Sequence, residues 1–217
     1  MKTILTIAAI AAFQMASAQK TVELKDLKNI SVGADTKVTL IKSSQNKLVI
    51  KGGDDDNDLD IQTHNGNLSL NGGEDLDITL YFKDGLESIS AASDAQIVGT
   101  DEINAKELSI NASSDSKIEL KLNVNRLRTD ASSDASVTLT GKAMQHDITL
   151  SSDAEFKGEQ LLTENTNINV SSDAAAVITA KGIVNADVSS DGSLKIYGKP
   201  KKVNETKDED AEITVMR

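Results

Sequence analysis

The chain has 217 residues, no cysteine, and 34 acidic against 23 basic side chains, for a net charge of −11. Such a field repels nucleic acid and anionic membrane surfaces, so neither is an expected partner. The missing thiols exclude disulfides, thiolate metal sites and a lipid-bearing N-terminal cysteine, which leaves packing and backbone pairing to hold one elongated domain or two small ones.

Residues 1–18 read as an export signal: Lys2, an apolar run over 4–13, then the small-residue site Ala16-Ser17-Ala18. Export to the periplasm, the cell surface or the medium is expected, with the mature chain starting near Gln19. The run falls short of the ~20 residues needed to cross a membrane, and nothing later compares with it, so no transmembrane segment is expected in the mature protein.

Residues 19–85 alternate as strands do, around Ile30, Val32, Val38, Leu40, Leu48, Ile50, Leu68, Leu70, Ile78 and Leu80. Gly52-Gly53, Asn65-Gly66 and Gly72-Gly73 mark turns between them. This segment is expected to form irregular coils or a β-cap. The acidic run Asp54, Asp55, Asp56, Asp58 and Asp60 lacks the glycine and distal glutamate of a calcium loop and reads as a solvated loop.

Residues 86–199 carry a repeat. Ala92-Ser93-Asp94 is followed by Ser-Ser-Asp ending at Asp115, Asp134, Asp153, Asp173 and Asp191, with aspartates 21, 19, 19, 20 and 18 residues apart. Three residues before each aspartate stand Ala91, Ala112, Ala131, Leu150, Val170 and Val188; three after stand Ile97, Ile118, Val137, Phe156, Ala176 and Leu194. All of these are apolar and so point inward. Five before come Ile89, Ile110, Thr129, Ile148, Ile168 and Ala186, extending the inward set with the period of a strand. Four before, Ser90, Asn111, Asp130, Thr149, Asn169 and Asp187 include no apolar member and face out.

Helical repeats are longer, and alternation at offsets of two would scatter apolar residues round a helix; a leucine-rich repeat needs a consensus that is missing. The pattern therefore predicts a β-solenoid, a single-stranded parallel β-helix. At ~3.3 Å per residue, a coil of about twenty residues holds three short strands and their corners. Residues 200–217 read as a charged loop after Pro200 and a last strand over 212–216 that covers the open edge.

The opening Leu27-Lys28-Asn29-Ile30-Ser31-Val32, the segment Asn67-Leu68-Ser69-Leu70, the stacked Ser-Ser-Asp turns and the closing Ile196-Tyr197-Gly198-Lys199-Pro200 resemble the auto-transporter adhesin head domain called the GIN domain, found in Gram-negative envelope proteins. The likeness covers nearly all of residues 19–217. It implies a right-handed β-helix without established enzymatic activity. The turns of that family look like Ser-Gly-Ser-Gly, whereas here aspartate stands where glycine is usual, and Gly192 alone is kept. Aspartate is among the non-glycine residues best able to enter the left-handed region.

The outward column Asn111, Asp130, Thr149, Asn169 and Asp187 is the candidate ligand-binding ladder, for an envelope or surface partner that is polysaccharide or protein. The column Asp94, Asp115, Asp134, Asp153, Asp173 and Asp191 has two readings. In the first, each carboxylate closes its own corner by accepting backbone N–H groups; in the second, less favoured, the column with its serines is a calcium ladder. No other cofactor is expected.

His64, beside the Asn65-Gly66 turn, and His146, at a coil corner, are expected at the surface. Arg128 is expected beside Asp147 and Arg126 beside Glu107, as outward ion pairs. Among the few aromatic residues, Phe156 falls in the core. No nucleophile elbow, phosphate loop, dinucleotide fingerprint or zinc helix appears. A surface-binding or structural module is thus the first reading, with a carbohydrate-active lyase or hydrolase of the β-helix type as the alternative.

Overall fold

The structure, a computed structural model, describes residues 19–52, 59–73 and 76–216. The expected export signal and Asp54, Asp55, Asp56 and Asp58 lie outside the described residues. Within them, every regular element is a strand, β1 to β17. The chain is a β-solenoid of parallel coils.

The most regular coils are β9 (Gln96–Ala112), β10 (Lys117–Ala131), β11 (Ser136–Leu150) and β12 (Glu155–Val170), stacked parallel. Each is one long strand where short strands with separate corners were expected. Only the Ser-Ser-Asp corner interrupts the ladder. Elsewhere the chain bends within it, with register shifts at Glu119/Lys121, Thr138/Gly141 and Gly158/Leu162, because a bulge turns a strand without ending its pairing. At one bend Gly141 has φ 102°, and a Cβ there would meet the Leu122 carbonyl, so the position excludes side chains.

The stack continues through β13 (Ala175–Ala180) with β14 (Ile183–Val188), then β15 (Ser193–Tyr197) with β16 (Lys202–Lys207), and ends at β17 (Glu212–Val215). The segment after Pro200 expected as a charged loop is therefore mostly strand β16. Its Val203 sits over Val184 and prolongs an inward column, which is enough to hold an otherwise polar strand in register.

The twelve residues three before and three after the six corner aspartates are all buried, as are the six residues five before. Val38, Ile97, Ile118, Val137, Phe156, Ala176, Leu194 and Ile213 form one column by register. Residues just after the corner aspartates are small and buried: Ala95, Ser116, Ala135, Ala154, Ala174 and Gly192. At the corner of Asp35 the same position holds the buried Thr36, whose hydroxyl is shared between the Gly33 and Gly72 carbonyls.

At the N-terminal end, spatial order departs from chain order. The coil of β2 (Asn29–Gly33) and β3 (Lys37–Lys42) lies against β8 (Ser88–Ala91) and β9 on one side. On the other side it meets β6 (Asn67–Asn71) and β7 (Asp77–Phe82). Beyond these, β5 (Asp60–His64) and β4 (Lys47–Lys51) pair antiparallel to β6 and β7, and β1 (Gln19–Glu23) pairs antiparallel to β4. These antiparallel pairings, of which β5–β6 is a hairpin, reverse the strand direction and so close the parallel stack at that end.

Candidate functional site

At each corner the second Ser and the Asp are both left-handed, with φ of 51–55° and 60–63°, which makes a type I′ turn of two non-glycine residues. Their strain is offset between coils. The Asp94, Asp115, Asp134, Asp153 and Asp173 N–H groups donate to the Ser114, Ser133, Ser152, Ser172 and Ser190 carbonyls at 2.9–3.0 Å. Asp35 N–H donates likewise to Ser93 O, and Ala34-Asp35 adopts the same left-handed pair, so the column has a seventh member.

The expectation that each carboxylate closes its own turn is corrected: the six side chains point into solvent and accept none of the hydrogen bonds that hold the corner. Backbone stacking does that instead, because the Ser–Asp peptides lie at the ~4.8 Å spacing of paired strands. Among the described residues no group of three or more His, Asp or Glu is placed to hold a metal ion. Neighbouring carboxylates at that spacing repel by ~0.9 kcal/mol in water before salt screening. Asparagine at Asp134 and Asp153 is therefore expected to leave the melting temperature unchanged or slightly raised, with or without calcium. A calcium-dependent rise in the parent that the double variant loses would make the column a cation site.

The predicted ladder residues come together in one column. Asn111 pairs in register with Asp130, Asp130 with Thr149, Thr149 with Asn169 and Asn169 with Asp187. The column runs on through Ser90, Ser31 and Ser69 at one end and Thr206 at the other. Asn111 and Asp130 are half-buried; Thr149, Asn169 and Asp187 are exposed.

A second outward column, two residues earlier on each strand, was not singled out in the sequence: Asn67, Asn29, Ser88, Ser109, Arg128, Asp147, Asn167, Asn185 and Asn204. Its C-terminal part is a hydrogen-bonded ladder. Asn204 Nδ2 donates to Asn185 Oδ1 at 2.7 Å, Asn185 to Asn167 at 2.8 Å and Asn167 to Asp147 at 2.6 Å. At the other end Asn29 Nδ2 donates to Asn67 Oδ1 at 2.7 Å. The recurrence of Asn and Ser six residues before the aspartate was present in the sequence as a signal.

The two columns form one polar face. Three shallow depressions open on it in succession: one around Asn29, Ser31, Asn67 and Ser69, one around Ser90, Asn111, Asp130 and Thr149, and one around Asn169, Asn185, Asp187 and Asn204. The adjoining face across the aspartate corner is different in character, carrying the Lys117–Glu119 and Glu155–Lys157 ion pairs.

Arg126 pairs with Glu107 at 2.7 Å, as expected. Arg128 lies beside Asp147 by register, but its guanidinium donates to Asp130 on its own strand at 2.7 and 3.3 Å, while Asp147 accepts from Asn167. His64 is exposed, within 2.8 Å of the Asn65 amide. The surface placement of His146 is corrected: it is 1% exposed, in an inward column with Leu108, Leu127, Thr166 and Val184. Its Nε2 lies 2.9 Å from Thr129 Oγ1 and its ring meets Phe156 edge-on at 5.4 Å. Burial pushes its pKa down to about 3.

A single stack of parallel coils with a polar face defines the molecule as a β-solenoid, and no helix among the described residues is long and apolar enough to cross a membrane. Residues 26–200 match the family described as "Putative auto-transporter adhesin, head GIN domain", and the chain belongs to that family. Solved structures share the fold. A putative adhesin from Bacteroides fragilis superposes with a TM-score of 0.84 at 16% identity, covering 92% of this chain and 96% of that one. A putative adhesin from Parabacteroides merdae gives 0.72 at 16% identity, and a putative lipid binding protein from Parabacteroides distasonis 0.71 at 12%, each with the same coverage. No curated protein matches the chain.

Proposed function

We propose that the protein is an exported cell-envelope adhesin whose two-column polar face is the surface that meets its ligand. The observation that carries this reading is the continuity of that face: amide and hydroxyl side chains in register on every coil except that of β10, which contributes Arg128 and Asp130, with depressions aligned along it. Export is supported by the signal-like residues 1–18 and by the family.

The enzyme alternative finds no support in the site. Of the two histidines, one is buried in the core; the other, His64, lines the first depression but with no other ionisable side chain in it, and the only arginine of the face is bonded to Asp130 at the second. An acyl chain suits the face no better. The exposed large apolar residues Met144, Ile183, Tyr197, Val215 and Met216 all lie outside the two columns.

Beads bearing residues 19–217 are expected to retain envelope fragments of the source organism. The double variant Thr149→Arg/Asn169→Arg, which places two long charged side chains on the face without touching the core, is expected to reduce retention at least ~tenfold, about 1.4 kcal/mol. Lys195→Ala, on the adjoining face, is expected to leave it unchanged. Equal retention by all three proteins would overturn the assignment of the face.

A further inference from the structure

Resting on that reading, we infer that the ligand is an uncharged, polyhydroxylated chain, a neutral glycan, lying along the solenoid axis across successive coils. Three features of the face select this chemistry.

The first is its hydrogen-bonding character. Asparagine amides and serine or threonine hydroxyls each donate and accept, as sugar hydroxyls do, so either partner can satisfy the other in several orientations. In the ladder from Asn204 to Asp147, one N–H of each amide is committed to the preceding coil. That bond fixes the amide plane and leaves a second N–H and a carbonyl lone pair unused. The donors and acceptors are thereby oriented before a ligand arrives, which lowers the ordering cost of binding.

The second is charge. The charges these columns carry are Arg128, Asp130, Asp147 and Asp187, with no lysine, and Arg128 is already bonded to Asp130, so the face has a small net negative charge and no basic group free to meet an anion. A polyanion would meet a net negative face. Within the two columns a polycation would find three scattered carboxylates; the continuous carboxylate track is the corner column beside them, which makes cationic oligomers a further control.

The third is length. The column from Ser69 to Thr206 has nine members, spanning about 38 Å at the ~4.8 Å spacing of paired strands. A single sugar would use one depression; a chain engages all three. Neither column contains an aromatic ring for a sugar to stack on, so affinity rests on hydrogen bonds. Each gains little net free energy, because both partners leave water. Binding must therefore accumulate along the chain, and affinity should depend on ligand length.

The test uses size-graded neutral oligosaccharides of glucan, mannan, galactan and N-acetylglucosamine, with polyuronate and sulfated oligosaccharides of matched length as charged counterparts. Isothermal titration with residues 19–217 is expected to show at least one neutral series binding, with Kd falling roughly tenfold or more from disaccharide to octasaccharide. Thr149→Arg/Asn169→Arg and, separately, Asn185→Ala should weaken the octasaccharide roughly tenfold while keeping the parent melting temperature; Lys195→Ala should not.

Tighter binding of the charged series, affinity independent of length, or no neutral series binding at all would overturn the inference. If no glycan binds yet the beads still retain envelope fragments in a face-dependent way, this inference falls and the adhesin reading stands. Loss of both takes both down.

Discussion

Replacing Val137 with aspartate is expected to leave the chain unfolded, with loss of the β circular-dichroism signal and early or aggregated elution in size exclusion. Val137 is fully buried and sits in register between Ile118 below and Phe156 above, in the middle of the stack. Neither of these column neighbours offers a hydrogen bond to a carboxylate. An unpaired charge, or a protonated acid without a partner, costs about 4 kcal/mol or more at such a site, comparable with the whole stability of many domains.

The solenoid adds a positional prediction. Each coil is supported mainly by its two neighbours, so a central fault removes support from both halves, whereas a terminal one frays a single coil. Ile213 occupies the same column in the last coil but is only partly buried. Ile213→Asp is therefore expected to fold, with a denaturation midpoint lowered by far less. Equal damage from the two substitutions would contradict the coil-by-coil account of stability.

The regular coils were legible because the Ser-Ser-Asp corner recurs and strand alternation carries inside and outside outward from it for several residues. Legibility faded with distance from that corner. Coil length varies between 18 and 21 residues, and the bulges that absorb the difference lie on the far side, around Lys121, Gly141 and Leu161. His146 shows the consequence. It stands seven residues before Asp153, and the same offset in the other five coils holds Glu87, Leu108, Leu127, Thr166 and Val184, three of them apolar, with the exposed Glu87 at the first coil obscuring the inward column. Carrying the alignment two positions further would have placed it in the core.

The N-terminal end was legible as strand but not as arrangement. Its hydrophobic alternation fixes which side chains point inward, yet it carries nothing about which coil stacks on which. The insertion of β2 between β6 and β8, and of β3 between β7 and β9, is a long-range pairing that no local pattern encodes. The seventh corner, Gly33-Ala34-Asp35-Thr36, was missed for a simpler reason: alanine stands where the repeat has serine, although the backbone adopts the same left-handed pair.

The buried histidine makes the protein's acid sensitivity predictable. With its pKa pushed down to about 3 by burial, against about 6.5 for a solvated imidazole, His146 stays neutral in the folded chain where the unfolded chain binds a proton. The sign follows from linkage. Above pH ~6.5 both states hold a neutral ring and stability is unaffected; below it the unfolded state takes up the extra proton, and folding weakens by ~1.4 kcal/mol per pH unit until the folded value is reached. Between pH 7 and pH 4.5 that amounts to about 2.7 kcal/mol.

His146→Leu places in the column the residue that Leu108 and Leu127 already supply, and it should remove this contribution. Adding Thr129→Val avoids leaving the Thr129 hydroxyl without the His146 partner 2.9 Å away. Urea denaturation of parent and double variant is expected to give curves that converge in pH dependence above pH 7 and separate progressively below pH 6, the parent losing stability faster. Parallel pH profiles would show that the imidazole takes up its proton inside the fold, and that the core around Phe156 admits a charge.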